Sequence, residues 1–454
     1  MKNFKMYVLV FLAPLLVIGV YFILSGKTVD GAFKLRLLLD FQQRQLIKKY
    51  FLPYKLISQQ EKVISEQSEV IPQLEIEKKE EGSDILIKES FLKLSNNLTL
   101  KKYLLTSGFY AGIQNLFPGS GYISFHEENI IILSGRGLLA FRKTLTDDTE
   151  NFRQIKNNIN DFIGIEQFKK ENQFSIKDLL IFNEHIYVSY TEEMKDNCWN
   201  TSVIYAAMSY ENIEFSNFFS PNECIHSKDN IDNEFIANQS GGRLVALDKN
   251  NILLSVGDYR SRYLAQDIQS VNGKIIKLNS QSNKYELISM GHRNPQGLYF
   301  DIENNFILQT EHGPKGGDEI NLIDVSILGK GKIQNYGWPI SSAGEHYSKK
   351  TDSEAKYKKY PLHKSHSEYG FIEPLKSFVP SIGISEIVKI TRNGYVASSL
   401  KDKSLYFFKL SDAREITNLE RVEVYERIRD LQFKNNQLFL FLEDTPSIGV
   451  ISLN

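Results

Sequence analysis

Cysteine is almost missing from this chain: Cys198 and Cys224 are the only two in 454 residues. No Cys/His spacing of the zinc-ligand kind occurs, and no Cys-x-x-Cys-His for covalent haem. Net charge is also scarce. The 54 basic residues meet 55 acidic ones, leaving a formal −1. No global field draws the protein to nucleic acid or to acidic surfaces, and nothing in the sequence supports a nucleic-acid role.

What is present begins at the N-terminus. Tyr7–Leu24 is an uncharged apolar run of about 18 residues behind Met1-Lys-Asn-Phe-Lys5, long enough for one membrane span. No small-x-small cleavage site follows, because Ser25-Gly26-Lys27 leads into charged residues. Residues 1–26 therefore read as an uncleaved signal anchor, and 27–95 as a helical stalk and polar linker. Phe33–Gln67 has helix-like apolar spacing broken at Pro53, and Glu75–Glu81 is a dense charge run. Lys27, Lys34 and Arg36 balance Lys2 and Lys5, so basic residues do not set the orientation. Cysteine does bear on it. Cys198 and Cys224 flank an apolar run and its return, where an exported chain would oxidise them to a disulfide; two unrelated buried thiols are the alternative. The expected location is single-pass in the inner membrane, with the large domain on the periplasmic side.

From residue 96 to 454 one pattern recurs six times: a turn of Asn, Gly or acidic residues opens a β-rich run with a polar end. The instances are HEENIIILSGRG at His126, FNEHIYVSY at Phe182, DKNNILLSVGD at Asp248, DIENNFILQTEHG at Asp301, TRNGYVASSLKD at Thr391 and FKNNQLFLFLED at Phe433. Residues tolerant of positive φ between β-branched and aromatic runs mark hairpins. Hairpins roughly 40 to 90 residues apart predict an all-β, six-bladed β-propeller, with Ser341–Ser367 as an insertion; an irregular β-sandwich pair is the alternative.

An antiparallel hairpin sets the start of its first strand beside the end of its second. That rule gathers several polar ends on one rim: Gln239–Arg243 with Gly257-Asp258, His292-Arg293-Asn294 with Glu311–Pro314, Leu400-Lys401, and Arg427–Asp430. Arg293, Lys401, Arg427 and Arg429 converging there imply an anionic ligand, and bidentate arginines suit a polycarboxylate. The turn Gly313–Gly317 leaves carbonyls free next to Asp318-Glu319, which suits a hard cation such as Ca²⁺.

Three segments carry a closer likeness: GHRNPQGL (Gly291–Leu298), TEHGPKGGDEINLI (Thr310–Ile323) and NYGWP (Asn335–Pro339). In this order the chain resembles the pyrroloquinoline quinone (PQQ)-dependent glucose/sorbosone dehydrogenase family over about residues 235 to 440. The resemblance implies PQQ and Ca²⁺ on the propeller rim. It implies contact of Arg293 and Asn294 with the quinone and His312 beside it. Lys401, Arg427 and Arg429 would bind the PQQ carboxylates, the Gly313 and Pro314 carbonyls would ligate Ca²⁺, and Tyr347 would lie over the cofactor. Tyr336 and Trp338 read as core. The family's general base opens a His-x-x-Gly-Arg-Leu motif, and here Gln239 of Gln239-Ser-Gly-Gly-Arg-Leu244 takes that place, while Asp258 keeps the place of its orienting partner. An amide accepts no proton at useful pH. The family's upstream Gly-Gln-Gly-Gly-Leu-Leu is also degenerate, with Asn172-Gln173 before Leu179-Leu180 as its nearest counterpart.

The expectation is a membrane-anchored aldose dehydrogenase that oxidises a sugar C1 hydroxyl by hydride transfer to PQQ, with Asp258, Arg293 and Gln239 at the reacting centre. Its partners would be a sugar and an unidentified electron acceptor. The rival reading is an inactive propeller that binds PQQ or a sugar as a receptor or partner platform.

Overall fold

The computed structural model describes residues 84–85, 88–105, 120–143, 151–170, 175–280, 282, 284–347 and 354–453. The expected anchor, most of the stalk and Asn172-Gln173 lie outside them. Among the described residues no helix is long and apolar enough to cross a membrane.

The described strands form six antiparallel-based sheets, and each contains one of the six hairpins. Their first strands are Gly121–His126, Ile176–Phe182, Gly241–Asp248, Pro295–Asp301, Ile384–Thr391 and Ile428–Lys434, and these define blades 1 to 6. Each first strand touches the first strands of the blades before and after it, and blade 6 touches blade 1, so the ring closes. At the hairpin turns Glu127, Asn183, Glu184, Asn305, Asn435 and Asn436 have φ between 50° and 58°, as the turn residues predict. The second strands, such as Asn251–Val256, Gly394–Ser399 and Gln437–Leu442, are buried along almost their whole length. That explains their unbroken apolar runs, because blades cover them on both sides.

Six apolar clusters fill the six seams between neighbouring blades. One joins Ile131 and Leu133 of blade 1 to Ile186 and Val188 of blade 2. Another joins Phe439 and Phe441 of blade 6 back to Ile130 and Ile132 of blade 1. Blade 6 is composite. Thr99–Leu104 pairs with Ser447–Ser452 (Leu100 opposite Ile451), and Lys88–Lys93 adds the outer edge. The propeller thus takes in residues upstream of the expected boundary at 96. Lys88–Lys93 owes its strand to pairing with Thr99–Leu104 and not to an apolar pattern of its own.

At the axis a single guanidinium reaches every other blade. Arg243 of blade 3 bonds Asp178 of blade 2 (Nη1–Oδ1, 2.8 Å), Glu386 of blade 5 (Nε–Oε2, 2.6 Å) and Asp430 of blade 6 (Nη1–Oδ1, 2.7 Å). It also donates to the Gln296 carbonyl of blade 4 (2.9 Å) and lies over the Tyr122 ring of blade 1 (5.6 Å). Backbone N–H groups hold the outer carboxylate oxygens: Leu244 on Asp178 (2.6 Å), Ile123 on Asp430 (2.7 Å) and Leu298 on Glu386 (3.2 Å). Three buried carboxylates thus surround one cation.

Burial pushes the Asp178 carboxyl up to about 7 against the pull of Arg243, and burial also holds Glu386 well above its usual range. With a folded value above the unfolded 3.8, Asp178 keeps a proton that the unfolded chain has released. Its contribution to stability is complete below about pH 4 and is lost as pH rises through about 7. Unfolding free energies from urea titrations are therefore expected to fall between about pH 4 and about pH 7, at up to about 1.4 kcal/mol per pH unit. Asp178→Asn is expected to flatten that slope, and an unchanged slope in the variant would remove Asp178 as its source.

Candidate active site

One face of the ring carries the polar ends, as the hairpin rule requires: Gly241 pairs with Val256, Pro295 with Glu311, Ile384 with Ser399 and Ile428 with Leu442. On blade 3 the two chain ends approach so closely that a Cβ on Gly257 would stand 2.1 Å from the Gln239 carbonyl oxygen. The backbone then turns through two left-handed non-glycine residues, Tyr259 (φ 49°) and Arg260 (φ 68°). Such conformations persist only where surrounding contacts impose them.

Asp258 is fully buried in that turn. Its Oδ1 accepts from the Arg260 N–H (2.8 Å), and its Oδ2 accepts from Trp338 Nε1 (2.8 Å). Gln239 completes the arrangement. Its neighbours orient the amide so that the nitrogen donates to Asp258 Oδ1 (3.1 Å), while the oxygen accepts from Arg293 Nη2 (2.7 Å) and Arg260 Nε (3.1 Å). Burial raises the Asp258 carboxyl, opposed by Arg293 and these hydrogen bonds. Gln239 therefore lies against Asp258, where the motif places it, but bridges two guanidiniums instead of offering a lone pair to the rim.

Arg293 links this corner to blade 4. Its Nη1 donates to the carbonyls of His312 (2.8 Å) and Gly313 (2.7 Å), its own N–H donates to Glu311 Oε2 (2.9 Å), and its guanidinium faces the Trp338 ring (5.4 Å). Asn294 Oδ1 accepts from the Gly241 N–H (3.2 Å) and from Gln296 Nε2 (3.0 Å). Gln296 in turn accepts from Arg429 Nη1 (3.3 Å). His312 has its Nδ1 3.5 Å from Asn294 Nδ2. Burial lowers its imidazole, and its Nε2 is buried without a well-formed hydrogen bond, although the Ile384 backbone gives the ring partial support.

The Gly313–Gly317 turn folds tightly: a Cβ on Gly313 would meet the Gly317 oxygen at 1.8 Å. Gly313 N–H donates to Asp318 Oδ1 (3.2 Å), and Asp318 Oδ2 takes the N–H groups of Gly383 (2.6 Å) and Ile384 (3.0 Å). Asp318 is therefore committed to the backbone. Among the described residues the Pro314 carbonyl has a single long contact, from Ser381 Oγ (3.4 Å), and the Ser381 carbonyl accepts from Lys401 Nζ (3.0 Å).

Arg427 and Arg429 are not free cations. Both Nε groups donate to the one buried carboxylate of Glu443, at 2.9 and 2.6 Å. Burial opposes ionisation of Glu443, yet Arg429 and Arg427 hold it below its usual range. Two guanidiniums against one carboxylate still leave a positive surplus, to which Lys401 and Arg293 add. Tyr347 is about half exposed and lies beneath the Arg260 guanidinium (5.2 Å).

Sequence reasoning missed four contributors. Trp338 reads as core and is core, but its indole N–H also fixes Asp258. Arg260 sits two residues past Asp258 in the same polar turn, which is the signal that would have found it. Arg262 bonds Glu234 (2.7 Å) and His346 (3.0 Å), tying the Ser341–Ser367 insertion to blade 3 beside the site. Glu443 closes the sixth hairpin, opposite Arg427.

Fold and site together define a six-bladed propeller with a cation-rich rim around a buried carboxylate and a Gly-Pro carbonyl turn. Residues 181–451 match the family described as Glucose / Sorbosone dehydrogenase, and the chain belongs to that family. It is 33% identical over 179 residues to the aldose sugar dehydrogenase YliI of Escherichia coli, covering 37% of this chain and 45% of that protein. It is 30% identical over 222 residues to the uncharacterized protein slr1608 of Synechocystis, covering 42% and 50%. The chain thus spans about half the length of these curated relatives. The PQQ-bound form of aldose sugar dehydrogenase from Streptomyces coelicolor shares the fold (TM-score 0.52, 16% identity, covering 71% of this chain and 90% of that one).

Proposed function

We propose that this protein is a PQQ- and Ca²⁺-dependent sugar dehydrogenase, oxidising the C1 hydroxyl of an aldose. The observation that carries the reading is the contact of Gln239 with both Asp258 and Arg293, beside the Gly313-Pro314 turn. The names of its relatives agree: an aldose sugar dehydrogenase and a PQQ-bound member of the same fold. The residues present fit the cofactor. The rim has surplus positive charge for carboxylates, His312 Nε2 is a buried nitrogen without a well-formed bond, and the Pro314 carbonyl is nearly unengaged.

When bound, PQQ supplies the two-electron acceptor and Ca²⁺ polarises it. Lys401 with Arg427 and Arg429 would bind its carboxylates, Arg293 and Asn294 would face the quinone, and the Gly313 and Pro314 carbonyls would ligate the metal. Arg293 stabilises negative charge developing beside it, because its guanidinium is already fixed by two carbonyls and needs no reorganisation. Asp258, its carboxyl raised by burial, is the group able to take the hydroxyl proton, directly or through water, since Gln239 is not basic. In dye-linked assays of the PQQ- and Ca²⁺-loaded protein with a panel of aldoses, Asp258→Asn is expected to cut turnover by about 10² to 10⁴-fold. PQQ affinity, read by absorbance titration, is expected to hold. Retained turnover would end the role assigned to Asp258.

The apolar run Tyr7–Leu24 supports a single-pass inner-membrane anchor. The Cys198–Cys224 disulfide, closing a separation of 26 residues, supports an oxidising, periplasmic side for the propeller. Gln239 specifically favours a second reading, a propeller that binds PQQ or a sugar without turnover. Stoichiometric PQQ binding with no oxidation of any aldose would select it.

A further inference from the structure

Arg260 is the cation that the roles above leave unexplained. It is charged and partly buried, yet among the described residues it has no carboxylate within ion-pair distance. Among the described residues its side chain makes one hydrogen bond, from Nε to Gln239, and it lies over the Tyr347 ring (5.2 Å). The nearby Glu234 is already taken by Arg262 (2.7 Å) and by Lys356. Arg293 donates to the same Gln239 oxygen, so two guanidiniums converge on one neutral acceptor. Burial and the charge of Arg293 both work against the ionised state of Arg260, and the nearby Glu234 carboxylate offsets them only in part. Holding like charges together in this way is costly unless an anion joins them. The terminal nitrogens of Arg260 are not among the buried polar atoms lacking partners, and among the described residues they make no hydrogen bond.

That anion has two possible sources, the cofactor's own carboxylates or a substituent of the substrate. Position separates them. The cations assigned to the cofactor carboxylates stand on blades 5 and 6, whereas Arg260 stands on blade 3, bonded to the residue in the general-base position. We propose that Arg260 receives an anionic group of the substrate, so that the preferred substrate is an aldose bearing a carboxylate or phosphate and not a neutral sugar. This rests on the dehydrogenase reading of the site. The anionic group is bound and oriented there and takes no part in bond-making.

The test uses the full chain, with and without PQQ and Ca²⁺, and three probes: glucose, glucuronate and glucose 6-phosphate. Calorimetry on the protein without PQQ reads binding independently of turnover, so failure to load PQQ would defeat the dehydrogenase reading while still deciding this one. At least one acidic probe is expected to bind about tenfold or more tighter than glucose. Arg260→Asn, a residue that tolerates the left-handed backbone, is expected to collapse that ratio, and Arg260→Lys to restore part of it. In the loaded protein the kcat/KM ratio of acidic to neutral sugar is expected to move in parallel. Equal binding of all three probes would overturn the proposal. So would an Arg260→Asn variant that keeps the acid-to-neutral ratio, or one that loses PQQ affinity alone.

Discussion

Gln239→His is expected to raise oxidation of a neutral aldose by about 10² to 10⁴-fold over the native chain, the range a positioned general base supplies. The geometry for it exists. The Gln239 nitrogen already donates to Asp258 Oδ1 at 3.1 Å, so an imidazole N–H in the same place would keep that bond and turn its other nitrogen toward the rim. Asp258 is itself locked by Trp338 and by the Arg260 N–H, and would hold the ring and its tautomer as it now holds the amide. One obstacle is visible. Arg293 and Arg260 both point at the atom where the new lone pair would sit, and two guanidiniums disfavour an imidazolium. The single variant is therefore expected at the low end of the range, and Gln239→His with Arg260→Asn at the high end. Initial rates with the PQQ- and Ca²⁺-loaded protein measure both. If neither variant gains while each binds PQQ stoichiometrically, the lack of a base at position 239 is not what limits turnover.

Much of this site was legible because it follows from local chemistry. Six turn signals located six hairpins, and antiparallel pairing then placed Asp258 beside Gln239 and Glu311 beside Pro295 without knowledge of distant contacts. What escaped depends on tertiary partners. Counting cations on the rim gave a surplus but not its counter-ion. Glu443 lies at the end of FLFLED, where the same pairing rule sets it beside Arg427, yet its burial and its sharing between two arginines appear only in the fold. Trp338 shows the converse limit. An apolar ring with one polar handle looks the same in sequence whether that handle is idle or holds a carboxylate. Lys88–Lys93 reads as linker because it is a polar edge strand, half of it charged. Its register comes from Thr99–Leu104, itself paired to the far C-terminus.

Arg243→Met is expected to be the most damaging single substitution in the propeller. The side chains are similar in length, so packing alone predicts a modest loss. The electrostatic consequence is larger. Asp178, Glu386 and Asp430, all buried, would face one another with no cation among them. Breaking a buried ion pair from one side costs about 3 to 5 kcal/mol, because a charge is left uncompensated. Here three buried carboxyls are left, contributed by three blades, and the two raised by burial can meet part of that cost by taking up protons. A loss of that size is a large part of the stability of an ordinary domain, so little soluble protein is expected from the single variant. Neutral amides separate charge from packing. Arg243→Met combined with Asp178→Asn and Glu386→Gln leaves Asp430 alone, still held by the Ile123 N–H, and is expected to recover much of the lost urea midpoint. If Arg243→Met unfolds within about 1 kcal/mol of the native chain, the seam clusters hold the ring by themselves. The axial guanidinium would then be a spectator. The contrary result would mean that ring closure depends on one side chain of Gln239-Ser-Gly-Gly-Arg-Leu244, the segment that also sets the amide against Asp258, so that closure and the site are built by a single stretch of chain.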